Sequence, residues 1–206
     1  MTKPITITIS RQFGTNGKEI GQIVAKKLDI TYYDKEIMYQ IAKDMDMDPS
    51  FFDEENKNDA GFFSISNRNF ALTNMTELSL NSQLYNKSSE WIQSIADKES
   101  AVIIGRCGNY ILKEKKNVIR VFCYCDLETR IKVAIEKHGL KGRKVKKFVE
   151  TQDQRRSGFY EFYTHQKWGD PSDYDLMINT AHVSLEEAVE LIIAYYHKKQ
   201  SLLNDG

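Results

Sequence analysis

Residues Ile5 to Ile9 read Ile-Thr-Ile-Thr-Ile, and the same segment runs on through Gly14 and Gly17 to Lys18 and an apolar series at Ile20, Ile23, Val24 and Leu28. Alternation with period two is the pattern of a strand, and spacing of three and four residues is that of a helix face. The amino-terminal segment is therefore strand, glycine-bearing loop, helix. Repeated along the chain, that unit points to an α/β architecture, a parallel sheet whose strands are joined by right-handed crossovers.

The rest of the chain keeps the same rhythm. Ile30 to Tyr33 is a short extended segment stopping at Asp34, a residue suited to cap a helix bearing Ile37, Met38, Ile41 and Met45. Ala101 to Ile104 is continuously apolar and Val118 to Cys123 nearly so, as strands covered on both faces are, which places both near the centre of a parallel sheet. Leu176 to Asn179 is a last strand, followed by a helix opened by Ser184 and Glu187 with the spacing of a capping box. Residues 44–98 depart from the rhythm and read as a largely helical excursion with a loop near 53–66. Glu128 to Gln154 reads as helical and cation-rich, with a break at Gly139 and Gly142. At 206 residues and 41% hydrophobic content, one core-bearing domain over the whole chain is expected.

Composition narrows the function classes. Lys+Arg and Asp+Glu both total 29, so no global field draws the chain to nucleic acid or to an anionic membrane, and any anion site is local. The cationic run Lys137 to Lys147 lacks interleaved aromatics and reads as a solvated helix face. No apolar run is long enough to span a bilayer, and MTKPITITIS is not a signal peptide, so a cytoplasmic location is expected. Cys107, Cys123 and Cys125 read as small buried residues, and no metal is assigned to them. The pairs Phe51-Phe52 and Phe62-Phe63 leave room for a homodimer contact.

Ligands of such sheets bind at the carboxyl ends of the strands, which gathers Ser10 to Lys18, Asp34 with its neighbours, and Gly105 to Asn109. A helix amino terminus exposes unsatisfied N–H groups, and glycines let backbone approach a phosphate, so Ser10 to Ile20 suits a nucleoside triphosphate. Against the pattern GxxxxGK[ST], Gln12 stands at the first glycine and Glu19 at the hydroxyl that would reach magnesium.

Three stretches, SRQFGTNGKEIGQIVAKKLDITYYDKEIM, AVIIGRCGNYIL and QDQRRSGFYEFYTHQKWGDPSDYDLMINT, resemble the cytidylate-kinase-like family. The resemblance implies a P-loop kinase-like three-layer sandwich with a five-stranded parallel sheet, an acceptor-side excursion and a short lid over about 128–168. It further implies transfer of the γ-phosphoryl of ATP, with Mg2+, to a small nucleotide acceptor such as CMP. Gly14, Thr15, Asn16, Gly17 and Lys18 would hold the donor phosphates, and Arg106 the acceptor phosphate. By the resemblance Asp153 and Arg156 fall to the acceptor, with Arg155 and Arg156 as lid cations at the transferred group; Asp34 and Lys35, by their place at the strand end, are acceptor-side candidates, Asp34 also for a metal contact. Cys107, Lys35 and Gln40 stand where the family has an aspartate, a serine and an arginine, and these bear on cytosine specificity. Two other functions fit the same residues: a nucleotide-binding module without catalysis, and a kinase of a non-nucleotide metabolite.

Overall fold

The structure is a computed structural model describing residues 3–34, 36–46, 75–142 and 144–204. Five strands, β1 (Thr6–Arg11), β2 (Thr31–Tyr33), β3 (Ala101–Ile104), β4 (Val118–Tyr124) and β5 (Leu176–Asn179), form one all-parallel sheet in the order β2-β3-β1-β4-β5. Among the described residues seven α-helices, α1 (Gly17–Leu28), α2 (Glu36–Asp44), α3 (Met75–Lys98), α4 (Gly108–Ile111), α5 (Leu127–His138), α6 (Val145–Thr164) and α7 (Leu185–Asn204), and a single 3-10 turn, Pro171–Asp173, accompany the sheet. The isoleucines of β1 sit in the middle of the sheet, and Ile5, Ile7 and Ile9 are fully buried.

Both sheet faces are covered, as the continuously apolar strands require. Val102 and Ile104 pack with Ile20 and Val24 of α1 and with Val189 and Ile192 of α7. Their neighbours Ala101 and Ile103 turn to the opposite core, with Ile37 and Ile41 of α2, Leu84 and Ile92 of α3, and Phe159 and Tyr160 of α6. The result is the expected three-layer α/β sandwich, with β3 and β4 flanking β1 inside the sheet. All three cysteines are buried. The loop at 53–66 and both phenylalanine pairs lie outside the described residues. Among the described residues, no helix is long and apolar enough to cross a membrane.

The punctuation follows local chemistry. Gly139 ends α5 in the left-handed region at φ +62°, and α6 starts beyond Gly142. The Ser184 N–H donates to the Glu187 carboxylate at 2.8 Å and the Glu187 N–H to the Ser184 hydroxyl at 3.2 Å, completing the capping box at α7. Asp34 does not cap α2 with its side chain; its N–H donates to Glu36 at 2.8 Å, and its carboxylate turns to the site described below.

At the opposite end of the sheet Arg120 holds Asp175 with two side-chain hydrogen bonds of 3.1 Å and a backbone one of 2.8 Å. Burial pushes the Asp175 carboxyl up, but its bonds to Arg120 outweigh that and hold it below the usual carboxylate range. A depressed folded-state value contributes stability that is complete above the unfolded value near pH 4 and is lost as the pH falls through the folded one. Acid unfolding of Asp175→Asn is accordingly expected to lose part of the wild-type stability slope below about pH 4, measured by urea unfolding at stepped pH.

Candidate active site

The loop between β1 and α1 is tied down on its outside and open on its inside. The Gln12 N–H donates to the Cys123 carbonyl, and the Gln12 side-chain oxygen accepts from the Cys125 N–H, both at 3.0 Å. The residue in place of the motif's first glycine thus staples the loop to the end of β4. The Phe13 N–H donates to Asp153 at 2.7 Å, and the Thr15 hydroxyl to the Gln12 carbonyl at 2.9 Å. By contrast, the N–H groups of Gly14, Thr15 and Asn16 have no protein acceptor among the described residues. Gly14 at φ +80° and Asn16 at φ +57° turn the chain so that it enters α1 without a side-chain cap. Successive N–H groups in such a turn, continued by the open first turn of a helix, make an anion-binding concavity.

Gly14 meets a second constraint, since a Cβ there would lie 2.8 Å from the Arg130 carbonyl oxygen. Gly14→Ala is expected to cost about 1–2 kcal/mol from its left-handed backbone alone, more with the displaced loop, in a denaturant titration, and to weaken nucleotide binding.

Arg130 supports the loop from α5. Its side chain is 9% exposed; Nε donates to the Cys125 carbonyl at 3.1 Å, and Nη1 pairs with Asp153 and reaches the Phe13 carbonyl at 3.5 Å. Asp153 spends one carboxylate oxygen on Phe13 and the other on Arg130, so it faces the loop. On the next turn of α6, Arg156 donates to the Arg11 carbonyl at 3.1 Å and lies over the Phe13 ring at 5.7 Å. Asp153 and Arg156 share a helix face at i, i+3. Arg155, about 100° round the helix from Arg156, is not among the residues lining the cleft described next.

Across the carboxyl ends of β1 and β3 lies a cleft lined by Ser10, Arg11, Arg106, Arg156, Phe159 and Trp168, with Gly105, Cys107 and Tyr160. Its free volume is about 30 Å³, room for about two waters. Three guanidinium groups line it and no carboxylate does. Arg156 has the Asp153 carboxylate 3.9 Å from its Nη1, outside the lining, and three cations with no opposite charge in the lining itself favour an anion there. Phe159, Tyr160 and Trp168 form its wall, and the Tyr160 hydroxyl accepts from Asn109 at 2.9 Å. Burial pushes the Cys107 thiol up to about 12, with Arg106 drawing it partly back, so Cys107 is an uncharged part of the lining at neutral pH.

Lys18 points from the loop to Asp34 at the end of β2, with Nζ to Oδ2 at 2.5 Å; the lysine is half exposed and the aspartate 13% exposed. Burial and the nearby Asp34 push the Tyr32 phenol up, and Arg11 pulls it back, which puts Arg11, Tyr32 and Asp34 in one neighbourhood. Glu19 points away and pairs with Lys137 at 2.6 Å. Lys35 lies outside the described residues.

The loop fits phosphate better than it fits a metal. Glu19 is engaged by Lys137, the Thr15 hydroxyl by Gln12 and Asp34 by Lys18. Among the described residues no three His, Cys, Asp or Glu side chains group as a metal site. Among the described residues there is therefore no ready protein ligand set for magnesium.

Sequence reading brought Lys18, Asp34, Arg106 and Arg156 to this region and did not single out Arg11 or Arg130. Arg11 is a strand-end polar residue and Arg130 one cation among many on α5, so neither stands out by pattern.

A crystal structure of an uncharacterized protein from Eubacterium ventriosum ATCC 27560 superposes with a TM-score of 0.71 at 26% identity, covering 94% of this chain and 98% of that one. A gluconokinase from Sinorhizobium meliloti 1021 shares the fold at a TM-score of 0.55 and 10% identity over 99% of this chain and 98% of that one. A shikimate kinase from Bacteroides thetaiotaomicron does so at 0.55 and 12% over 94% and 98%. No curated protein sequence matches the chain. Residues 6–182, from the first strand to just past the last, match the family described as cytidylate kinase-like, and the chain belongs to that family.

Proposed function

We propose that the chain transfers the γ-phosphoryl group of ATP to a small acceptor, most simply a nucleoside monophosphate such as CMP. One observation carries this reading: an open cradle of loop N–H groups with Lys18 stands beside a cleft lined by three arginines and no carboxylate. Phosphoryl transfer asks for positioning and charge neutralisation more than for covalent chemistry, and this arrangement supplies both. In this reading Gly14 to Lys18 hold the triphosphate, and Arg106 and Arg156 hold the acceptor phosphate. Asp34 orients Lys18 and borders the acceptor; Asp153 acts through the loop it braces, and Arg155 through closure of α5 and α6. Magnesium enters with the nucleotide, held by phosphate oxygens and water.

Calorimetric titration with ATP and then CMP, each with and without magnesium, tests the reading beside Lys18→Ala. Saturable binding of both, with ATP binding lost in the variant, is the expected result; binding of neither contradicts it. The engagement of Glu19 and Thr15 within the protein favours a second reading, a nucleotide-binding module without turnover. Tight ATP binding with no transfer to any nucleotide or hydroxyl-bearing metabolite would decide for the module.

A further inference from the structure

Arg11 stands at the junction of the loop and the cleft, and its surroundings are shaped around it. A Cβ on Gly105, at the carboxyl end of β3, would lie 2.5 Å from the Arg11 Nη1, so the guanidinium rests over the glycine. A Cβ on Gly17 would lie 2.8 Å from the Arg11 Cβ, so the stem passes beneath the start of α1. The side chain is thus held between two glycines, running from the loop to the neighbouring strand end. Among the described residues no carboxylate pairs with it, while Lys18 has Asp34 and Arg130 has Asp153. It shares the cleft lining with Arg106 and Arg156, and Arg156 also binds its backbone carbonyl at 3.1 Å.

We propose that Arg11 is a specificity-determining residue that binds the acceptor's anionic group from the loop side, opposite Arg106, and so selects a phosphomonoester dianion over a neutral alcohol. The assignment deepens the phosphotransferase reading and rests on it for the word acceptor, though the anion site itself stands on the geometry. A planar guanidinium fixed over Gly105 offers a two-pronged donor with little rotamer freedom left to lose, which is what bidentate phosphate recognition uses. The cleft has room for about two waters as it stands, less than a phosphate needs, so the arginine tips move apart to receive it. A neutral hydroxyl in the same place would bring no negative charge to a lining that has three guanidinium groups and no carboxylate.

The test is calorimetric binding of CMP and of inorganic phosphate to the full chain, for wild type, Arg11→Met and Arg11→Lys. Methionine keeps the stem against Gly17 and removes only the charge and fork, and thermal unfolding confirms that each variant is folded. Affinity for both probes is expected to fall about ten- to a hundredfold in Arg11→Met. Lysine should restore only part of it, and ATP affinity should change little. Steady-state kinetics on an active acceptor should show the loss in KM for the acceptor more than in KM for ATP. Unchanged affinity in Arg11→Met, or no saturable binding of either probe by wild type, overturns the proposal. Anion binding that depends on Arg11 with no phosphoryl transfer supports the site while removing the transferase reading. Transfer insensitive to Arg11→Met overturns the site alone.

Discussion

Lys18→Ala is expected to lower the rate of phosphoryl transfer about 10²–10³-fold, while leaving thermal unfolding nearly unchanged. Lys18 is the cation beside the open N–H cradle, and in the proposed reaction its compact ammonium group would neutralise charge developing on the donor. Its ion pair with Asp34 contributes little to stability because the lysine is half exposed and solvent screens the interaction. A catalytic lysine therefore separates cleanly from a structural one. A large fall in kcat at constant melting temperature identifies the first, and a fall in melting temperature with proportionate loss of active protein identifies the second.

Asp153→Ala has the largest expected effect on folding, a loss of about 3–5 kcal/mol in urea unfolding. It removes the carboxylate beside Arg130, whose side chain is 9% exposed, and deprives the Phe13 N–H of its acceptor. Replacing both partners, as Arg130→Met with Asp153→Leu, should recover a good part of that loss, because no buried charge is then left uncompensated. ATP affinity should remain poor in the double variant, since the loop has lost its brace from α5 and α6. If Asp153 instead served mainly at the acceptor, the single substitution would raise the acceptor KM and leave the unfolding midpoint in place.

These two residues also mark how far the sequence carries. The alternation of Ile5 to Ile9, the apolar runs at Ala101 and Val118, and the Ser184 and Glu187 spacing are local signals, and the strands, crossovers and cap they specify are those observed. Lys18 was legible because loop chemistry is also local. Asp34 read as a cap because sequence shows only its neighbours, whereas its carboxylate reaches Lys18 at the start of α1. Gln12, a departure from the glycine pattern, proves to be the staple to Cys125, 113 residues away. Arg130 and Arg11 were invisible for the same reason. One is bound to Phe13 at a separation of 117 residues, and the other lies over Gly105, and no periodicity encodes either contact. Helix α6 shows the limit most plainly: Asp153, Arg155 and Arg156 are near neighbours in sequence, yet the helical turn sends Asp153 to the loop, Arg156 to the cleft and Arg155 away from its lining.

Phosphorus NMR of the full chain with ATP, magnesium and a panel of nucleoside monophosphates reads the proposed phosphoryl transfer itself. Nucleoside diphosphate resonances are expected from at least one acceptor with wild-type protein, and none on the same timescale with Lys18→Ala. No diphosphate from any acceptor, or equal formation by the variant, would contradict the proposal.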